Sequence, residues 1–176
     1  MRVLKYQLMR TRILLLIMAS ALAASAQKVN IEFDPAVDFA RFHTFAIRAG
    51  DLNSQNPALN SELTKKKIDF DIERGLSARG LVMVASGPSD LNVRYRLGVA
   101  RKAEVEAYPA GWLGLGTRVV RVPFAEGTLV IDLRDPTTRS LVWRAISSEE
   151  KSDALKIEGK LDNMVKKSLE KYPPKR

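Results

Sequence analysis

The sequence predicts an α+β fold, a two-layer sandwich in which a mostly antiparallel sheet carries two helices on one face. Residues 90–99 alternate between apolar and polar side chains, and 127–133 and 141–147 are apolar runs typical of strands. Two other segments, 61–79 and 152–172, repeat apolar residues at helical spacing. Because the strands do not alternate strictly with helices, a parallel doubly wound sheet is not expected. Packing both helices on the single apolar face of the sheet buries all of the apolar stripes at once.

The first 26 residues have the order of a secretory signal peptide. A basic segment without acidic residues precedes the apolar run 13–24, and small residues end the segment before Gln27. The run is shorter than the roughly 20 residues that a membrane-spanning helix needs. We therefore predict cleavage between Ala26 and Gln27, which leaves a single domain over 27–176 with no transmembrane helix. The alternatives are an uncleaved membrane anchor and a buried helix.

Composition and charge exclude several classes of protein. The chain has no cysteine, so disulfides, cysteine-ligated metals and thiol catalysis are ruled out. The full chain carries a net charge of +9, but four of its cations lie in the leader. In the mature chain, 25 basic residues face 20 acidic ones, a net charge of +5. The basic character thus belongs in large part to the export signal, and we expect no nucleic-acid partner.

The first part of the mature chain is predicted to hold two strands and a loop. Residues 29–33 alternate and stop at Asp34-Pro35, because proline lacks the N–H that a strand interior needs. A second strand is predicted over 39–47, and the polar segment 50–60 is interpreted as a loop. A helix then begins either at Asn56-Pro57 or at Ser61.

The segment 61–79 is predicted to be a helix that ends before Gly80. Ile68, Ile72 and Leu76 form its apolar stripe. Leu63 and Phe70 would lie on the opposite side, so either two faces are covered or the first turn is irregular. Beyond the helix, short strand 81–84 and turn 86–89 lead into strand 90–99, whose residues Asn92, Arg94 and Arg96 face solvent. Residues 101–105 either continue this strand or pair back on it, and 107–116 are interpreted as a flexible loop.

The C-terminal third predicts a β-hairpin and a second helix. Strands 127–133 and 141–147 flank Asp135-Pro136, which has turn chemistry. Ser152 or Asp153 then offers an N-cap. The following helix has the clearest amphipathic pattern in the chain, with one apolar face formed by Ile157, Leu161, Met164, Val165, Leu169 and Tyr172.

Several segments, in this order, resemble the bacterial domain-of-unknown-function 4136 family. They are Phe33-Asp34-Pro35 with Phe42-His43-Thr44-Phe45, Arg79-Gly80-Leu81, Ser89-Asp90-Leu91, the run 127–133, Leu141-Val142-Trp143-Arg144-Ala145 and Tyr172-Pro173-Pro174. The resemblance implies an exported, cell-envelope-associated protein with an α+β fold, and it implies no activity. Many members are lipoprotein-like, with a cysteine after the signal. This sequence has Ala26-Gln27 there, so lipid anchoring does not carry over.

Among residues that could carry chemistry, most are better explained as structural. His43, the single imidazole, lies among aromatic residues without a nucleophile motif, which favours a partly buried strand position over a general base. Asp34 and Asp38 are typical of turns that bond their own backbone, and they do not match a calcium loop. Asp132 and Arg144 are expected to form a cross-strand ion pair. We predict no catalytic, cofactor-binding or metal-binding residues.

The segment 107–116 is the stronger candidate for binding. Tyr108 and Trp112 lie among glycines, with Arg118 following, and exposed aromatic side chains on loops often contact sugars, peptides or lipid headgroups. The alternative is a connector whose aromatic side chains pack on the sheet. The lysines at 65–67 and on the second helix are interpreted as a solvated face.

These observations predict an exported protein, periplasmic or attached to the cell envelope, that acts as a non-enzymatic binding or interaction module. Its partner would be another envelope protein or an anionic surface polymer. Two alternatives stay open. One is a carrier of a small apolar ligand held between sheet and helices. The other is a hydrolase that uses Asp34, Asp38 or Asp132, which requires two carboxylates to converge on one cleft.

Overall fold

A six-stranded mixed sheet organises the chain in the computed structural model, which describes residues 28–54, 56–110, 116–151 and 154–175. The predicted leader, 1–26, lies outside the described residues. The strands are β1 (Lys28–Phe33), β2 (Thr44–Ser54), β3 (Val82–Met83), β4 (Leu91–Ala110), β5 (Gly116–Arg134) and β6 (Leu141–Lys151). Across the sheet they lie in the order β1-β6-β5-β4-β2-β3.

The α+β class is confirmed, but the prediction of a mostly antiparallel sheet is wrong. β2 runs parallel to both β3 and β4, while the pairs β1–β6, β6–β5 and β5–β4 are antiparallel. The physical reason is the crossover α1 (Glu62–Ser77), which follows β2 and returns the chain to the same end of the sheet. The predicted second helix is also two helices, α2 (Ala154–Glu158) and α3 (Leu161–Leu169).

The region before α1 differs from its prediction in both strand and loop. Residues 39–41 form a 3-10 helix capped by Asp38, and β2 then extends over 50–54, which were expected to be a loop. Polar residues such as Asp51 and Asn53 occupy this extension because its partner β4 supplies the backbone hydrogen bonds. The pairing shifts register between Ile47 and Ala49, so Arg48 forms a bulge.

Both predicted helix starts before α1 are used. Asn56 accepts a hydrogen bond from the N–H of Ala58 and caps the 3-10 helix Pro57–Asn60, while Ser61 accepts from the N–H of Thr64 and caps α1. The predicted stripe is buried, whereas Leu63 and Phe70 are exposed. Neither a second covered face nor an irregular first turn explains Leu63 and Phe70, because the outer side of α1 is open to solvent.

The C-terminal helices confirm the predicted apolar face. Ile157, Leu161, Met164, Val165 and Leu169 are fully buried, and Tyr172 is nearly so. The two candidate caps, Ser152 and Asp153, lie outside the described residues. Gly75 of α1 allows α3 to approach closely, since a Cβ there would lie 2.4 Å from a methyl carbon of Leu169. This close approach explains a glycine inside α1 despite its cost in helix propensity, about 1 kcal/mol.

The hydrophobic core joins one set of sheet residues to all three helices. On β4, Leu91, Val93, Tyr95, Leu97 and Val99 are buried in one cluster with the apolar residues of α1, α2 and α3. The intervening residues Arg94 and Arg96 are exposed. β4 is therefore apolar toward the core and polar on its other side, as the alternation predicts.

Beyond the rest of the sheet, β4 and β5 continue as a two-stranded ribbon. Pairing with β2 ends at Val99 and pairing with β6 ends at Ala125, yet β4 and β5 stay in register out to Ala110 and Gly116. Residues 101–105 thus continue the strand. The prediction of a loop over 107–116 is wrong for 107–110 and 116, and 111–115 lie outside the described residues.

The predicted hairpin between β5 and β6 is confirmed. Asp135 accepts hydrogen bonds from the N–H groups of Thr137 and Thr138 at 2.8 and 3.1 Å, and Arg139 takes a positive φ of 58°. The predicted turn chemistry therefore operates through the Asp135 side chain, and the hairpin brings Asp132 on β5 beside Arg144 on β6.

Candidate binding face of the sheet

Charged residues lie in register across the polar face of the sheet. One row runs from Arg94 on β4 to Asp132 on β5, Arg144 on β6 and Glu32 on β1. Positive and negative side chains alternate along this row, which is the favourable arrangement for neighbouring positions on adjacent strands. The alternating charges of this row therefore stabilise the pairing of the strands and set where each charged side chain lies on the polar face.

The ion pair in the middle of this row confirms the predicted cross-strand contact. Arg144 donates through Nε and a terminal nitrogen to the two carboxylate oxygens of Asp132, at 2.6 and 2.8 Å. These hydrogen bonds raise the pKa of Arg144. Asp132 is buried, and Arg134 approaches it at 3.6 Å. This carboxylate is thus engaged by guanidinium groups and is unsuited to act as a base or nucleophile.

Arg94 and Arg96 have a different environment from Arg144. Both side chains are exposed, and within the described part of the chain neither guanidinium makes an ion pair or hydrogen bond. They lie two residues apart on the same face of β4 and line a cavity of about 200 Å³ with Asp51, Asp132 and Arg134. Two unpaired guanidinium groups at the edge of one cavity form a potential anion-binding site, because each presents a planar set of donors that fits carboxylate or phosphate.

A second cavity extends the same surface toward the β5–β6 hairpin. Its volume is about 240 Å³, and it shares Arg94 and Arg134 with the first cavity while adding Arg139. Its carboxylate, Asp135, accepts a hydrogen bond from Arg41 at 2.7 Å, and the N–H of Thr138 contributes most to lowering its pKa. The acids of this surface are therefore largely paired, and the free cations exceed the free acids.

We define the arginine face as Arg94, Arg96, Arg134 and Arg139. Sequence reasoning placed Arg94 and Arg96 on the solvent side of a strand but did not identify them as a site. The available signal was their spacing of two residues on one strand, opposite a strand that also ends in arginine. The sequence alone does not show the register between β4 and β5 that brings Arg134 beside Arg94 and Arg96.

The other candidate residues do not converge. Asp34 and Asp38 accept hydrogen bonds from the N–H groups of Ala36 and Ala40, so both are turn residues as predicted. His43 is exposed and precedes β2, which corrects its expected partly buried strand position. Its backbone N–H bonds Asp90, whose carboxylate also accepts from Thr44, and these bonds lower the pKa of Asp90. The described residues thus contain no converging pair among the three acids of the hydrolase alternative.

The residues predicted for the aromatic segment fall at the distal end of the ribbon. Tyr108 on β4 lies opposite Arg118 on β5, and Trp112 lies outside the described residues. The register therefore places Tyr108 and Arg118 opposite each other, two residue pairs from the end of the described strands.

A separate cavity of about 350 Å³ lies between α1 and α3. Asp71, Arg74, Arg79, Lys166 and Glu170 line it. Burial raises the pKa of the Asp71 carboxyl, although the nearby Arg74 opposes this effect and contacts it at 2.9 Å. Its charged lining is unlike the apolar pocket that a carrier of an apolar ligand needs.

The described residues offer neither a cluster of metal ligands nor a membrane-spanning helix. Among these residues there is no group of three or more histidine or acidic side chains placed to hold a metal ion. None of the described helices has the length and apolar character required to cross a bilayer.

Comparisons with known proteins place the chain in a family and support its fold. The sequence model of DUF4136, described as a domain of unknown function, matches residues 29–174. A search of curated proteins gives no match. Among solved structures, the chain is similar to a PDZ domain protein from Parabacteroides distasonis, with 17% identity and a TM-score of 0.59 over 84% of this chain and 36% of that one. It is also similar to a PelC dodecamer from Paraburkholderia phytofirmans, with 15% identity and a TM-score of 0.49 over 82% of this chain and 95% of that one.

This chain therefore spans little more than a third of the PDZ domain protein. At such low identity, the likeness shows the fold alone.

Proposed function

Because the chain belongs to the DUF4136 family, whose description assigns no activity, we propose a function from its geometry. The protein is an exported, non-enzymatic binding module of the bacterial cell envelope, and it holds an anionic partner on the arginine face. We further infer that the helices cover the opposite side of the sheet. The polar side then stays open to a partner.

The unpaired guanidinium groups of Arg94 and Arg96 carry this proposal. In the same face, Arg144 is fully engaged by Asp132, so the structure contains both a satisfied arginine and two available ones. Arg94 and Arg96 lie two residues apart on β4, and the paired positions on the neighbouring strands are Asp132 and Asp51, yet neither guanidinium bonds these carboxylates. An anionic partner supplies acceptors for the free N–H donors.

An anionic surface polymer is the favoured partner. The arginine face spans two cavities that share Arg94 and Arg134, so its cations are spread along the sheet rather than focused on one point. A repeating chain of carboxylate or phosphate groups can occupy such an extended row, whereas a single small anion meets only one or two of the guanidinium groups. The contacts predicted at Tyr108, Trp112 and Arg118 form a second, separate part of the proposal.

Binding to two probe polymers tests the arginine face. We expect the exported protein to bind a polyuronate or a polyphosphate chain, measured by titration calorimetry, and to lose binding as salt rises because exposed charges are screened. Arg94→Ala with Arg96→Ala should weaken binding on the order of tenfold or more, the equivalent of about 1.4 kcal/mol or more.

The matched control replaces two other exposed cations. Lys66→Ala with Lys67→Ala lowers the net charge equally but leaves the arginine face intact. If both double variants weaken binding equally, attraction is a matter of net charge and the proposed site is wrong. If the wild-type chain binds neither polymer, the choice of partner is wrong.

Export is tested separately, by N-terminal sequencing of the protein recovered from the cell envelope. We expect a mature chain that starts at Gln27. A chain that starts at Met1 would contradict the cleavage, and recovery from the cytosol alone would contradict the location.

A further inference from the structure

The first strand, β1, forms one edge of the sheet. It lies at the end of the strand order and, among the described residues, pairs only with β6. The opposite edge strand, β3, is two residues long, whereas β1 has six. An edge strand of this length presents a row of backbone donors and acceptors to which a further strand can be added. β1 is therefore the edge of this sheet that is long enough to accept another strand.

Alternate residues of β1 direct their backbone groups to this open edge. β1 and β6 pair without a shift in register, and just beyond them the N–H of Asp34 donates to the carbonyl of Val142 at 3.1 Å. In an antiparallel pair, hydrogen-bonded and non-hydrogen-bonded positions alternate along the strand. Counting back from Asp34, the even-numbered residues bond β6. The outward N–H and C=O groups therefore belong to Val29, Ile31 and Phe33.

The two faces of β1 carry different side chains. Val29, Ile31 and Phe33 lie on the core side of the sheet, where Ile31 packs against the hydrophobic cluster and Phe33 remains 37% exposed. Lys28 and Glu32 are exposed on the polar side, where Glu32 belongs to the charged row described above. A strand added at this edge would therefore cover apolar side chains on one side and meet opposite charges on the other.

The charges of β1 are complementary to those of a second β1. When two copies pair antiparallel about a two-fold axis at Asn30, Lys28 of each copy lies opposite Glu32 of the other. Val29 then lies opposite Ile31, and the backbone groups of both residues point outward, so they can bond each other. The two ion pairs fall at non-hydrogen-bonded positions, where opposed side chains are closest. This register satisfies the backbone and the charges together.

Neighbouring registers lack this match. An axis at Ile31 sets Lys28 against Asp34, whose carboxylate already accepts a backbone N–H in the following turn. It also leaves Glu32 opposite Asn30. An axis between two residues sets outward backbone groups against groups that already bond β6. Charged residues on an edge strand ordinarily prevent pairing, but here opposite charges near the two ends of the strand select one register.

We propose that β1 is a homodimer interface, through which two copies of this chain join their sheets edge to edge by antiparallel pairing of residues 28–32. Residues paired across antiparallel strands lie on the same side of a sheet, so both arginine faces lie on one side of the joined sheet. Because one pair of short strands buries less than a standard interface, the dimer dissociates on dilution. The dimer does not require an anion, so it goes beyond the proposed function and is tested apart from it.

Charge reversal tests the interface in the protein purified after export. Lys28→Glu and Glu32→Lys each set like charges opposite in a dimer of identical copies. Each should raise the dissociation constant, measured by sedimentation equilibrium, by about tenfold or more. An equimolar mixture of the two variants should form a heterodimer, because opposite charges then face each other at both positions. The double variant, Lys28→Glu with Glu32→Lys, should dimerise as the wild type does.

The matched control is Glu73→Lys, which makes the same change in charge as Glu32→Lys at an exposed residue of α1. It should leave the dimer intact. A second variant, Val29→Pro, removes an N–H that is directed outward rather than to β6. It should abolish the dimer and unfold near the wild-type temperature.

The proposal is overturned if the wild-type chain stays monomeric up to the highest concentration measured, or if Glu73→Lys weakens the dimer as much as Glu32→Lys does. It is also overturned if the mixed charge-reversal variants stay monomeric. A dimer that survives Val29→Pro would place the interface elsewhere and would equally contradict the pairing of β1.

Discussion

The two faces of β4 between Leu91 and Val99 show how one strand separates stability from binding. Toward the core, its side chains are apolar, almost fully buried and joined to all three helices. On the other face, Arg94 and Arg96 are exposed and unpaired among the described residues. The stability that the apolar face contributes depends on buried area and packing, whereas the contribution of the polar face depends on which charged residues the strand register places next to each other. The polar face can therefore hold charges available to a partner at little cost to the fold.

The largest effect is expected on the apolar face. Leu97→Ala removes a side chain that is 1% exposed and leaves a cavity among the helices, so the free energy of unfolding should fall by about 3 kcal/mol. Urea unfolding followed by circular dichroism measures this. A loss below about 1 kcal/mol would mean that the two faces of β4 differ less than the structure indicates.

An intermediate loss of stability is expected at Asp132, a buried carboxylate on the polar face of the sheet. Asp132→Ala leaves Arg144 half-buried without its carboxylate and should cost about 2 kcal/mol. A double-mutant cycle with Arg144→Ala isolates the interaction. Strict additivity of the two single effects would show that the pair contributes nothing of its own.

A smaller, pH-dependent effect is expected at Asp90, which ties the start of β2 to the start of β4. Its pKa is lowered by the N–H groups of His43 and Thr44, so its contribution to stability is full above the unfolded pKa and is lost as pH falls through the folded pKa. Asp90→Asn should cost about 1 kcal/mol near pH 7. The difference in Tm from the wild type should vanish at the lowest pH.

The control for Asp90 is Ser89→Ala, at the preceding residue, whose side chain bonds the backbone of Leu91 and does not titrate. Its Tm difference from the wild type should stay constant over the same pH range. A Tm difference for Asp90→Asn that persists at low pH would assign the effect to packing rather than to charge.

The smallest effect on stability is expected at Arg96, the neighbour of Leu97. Arg96→Ala should change the free energy of unfolding by less than about 0.5 kcal/mol, because the side chain is exposed and unpaired. The same urea titration of Leu97→Ala and Arg96→Ala compares the two faces of β4 at adjacent residues. A loss comparable to that of Leu97→Ala would show that the polar face is structural.

Much of this fold is predictable from local sequence patterns. The features that were not predicted depend on how segments distant in the sequence connect and pair. The apolar stripes of α1 and of the C-terminal helices, the β5–β6 hairpin and the Asp132–Arg144 pair follow from spacing and turn chemistry. The parallel pairing of β2 does not, because no local signal shows that α1 returns the chain to the same end of the sheet. The ribbon was missed because one proline and three glycines within 109–116 are typical of a loop.

The candidate site was predicted less well than the fold. The alternation placed Arg94 and Arg96 on the solvent side, but an arginine that faces water is ordinary. Its significance depends on which arginine a neighbouring carboxylate bonds, since Asp132 lies between Arg94 and Arg144 in register but bonds Arg144 and not Arg94. Side-chain pairing between strands distant in sequence is the information that one sequence lacks.

The pairing of β1 with β6 has a consequence for how the chain folds. Ile31 lies beside Ala145, so the first strand completes the sheet only after the last strand is present. Contacts between such distant segments make folding slow, because a long loop must close before they form. A chain threaded through a secretion channel from its N-terminus would thus leave β1 without its partner during passage, and the sheet would be complete only when the final strand had arrived on the far side.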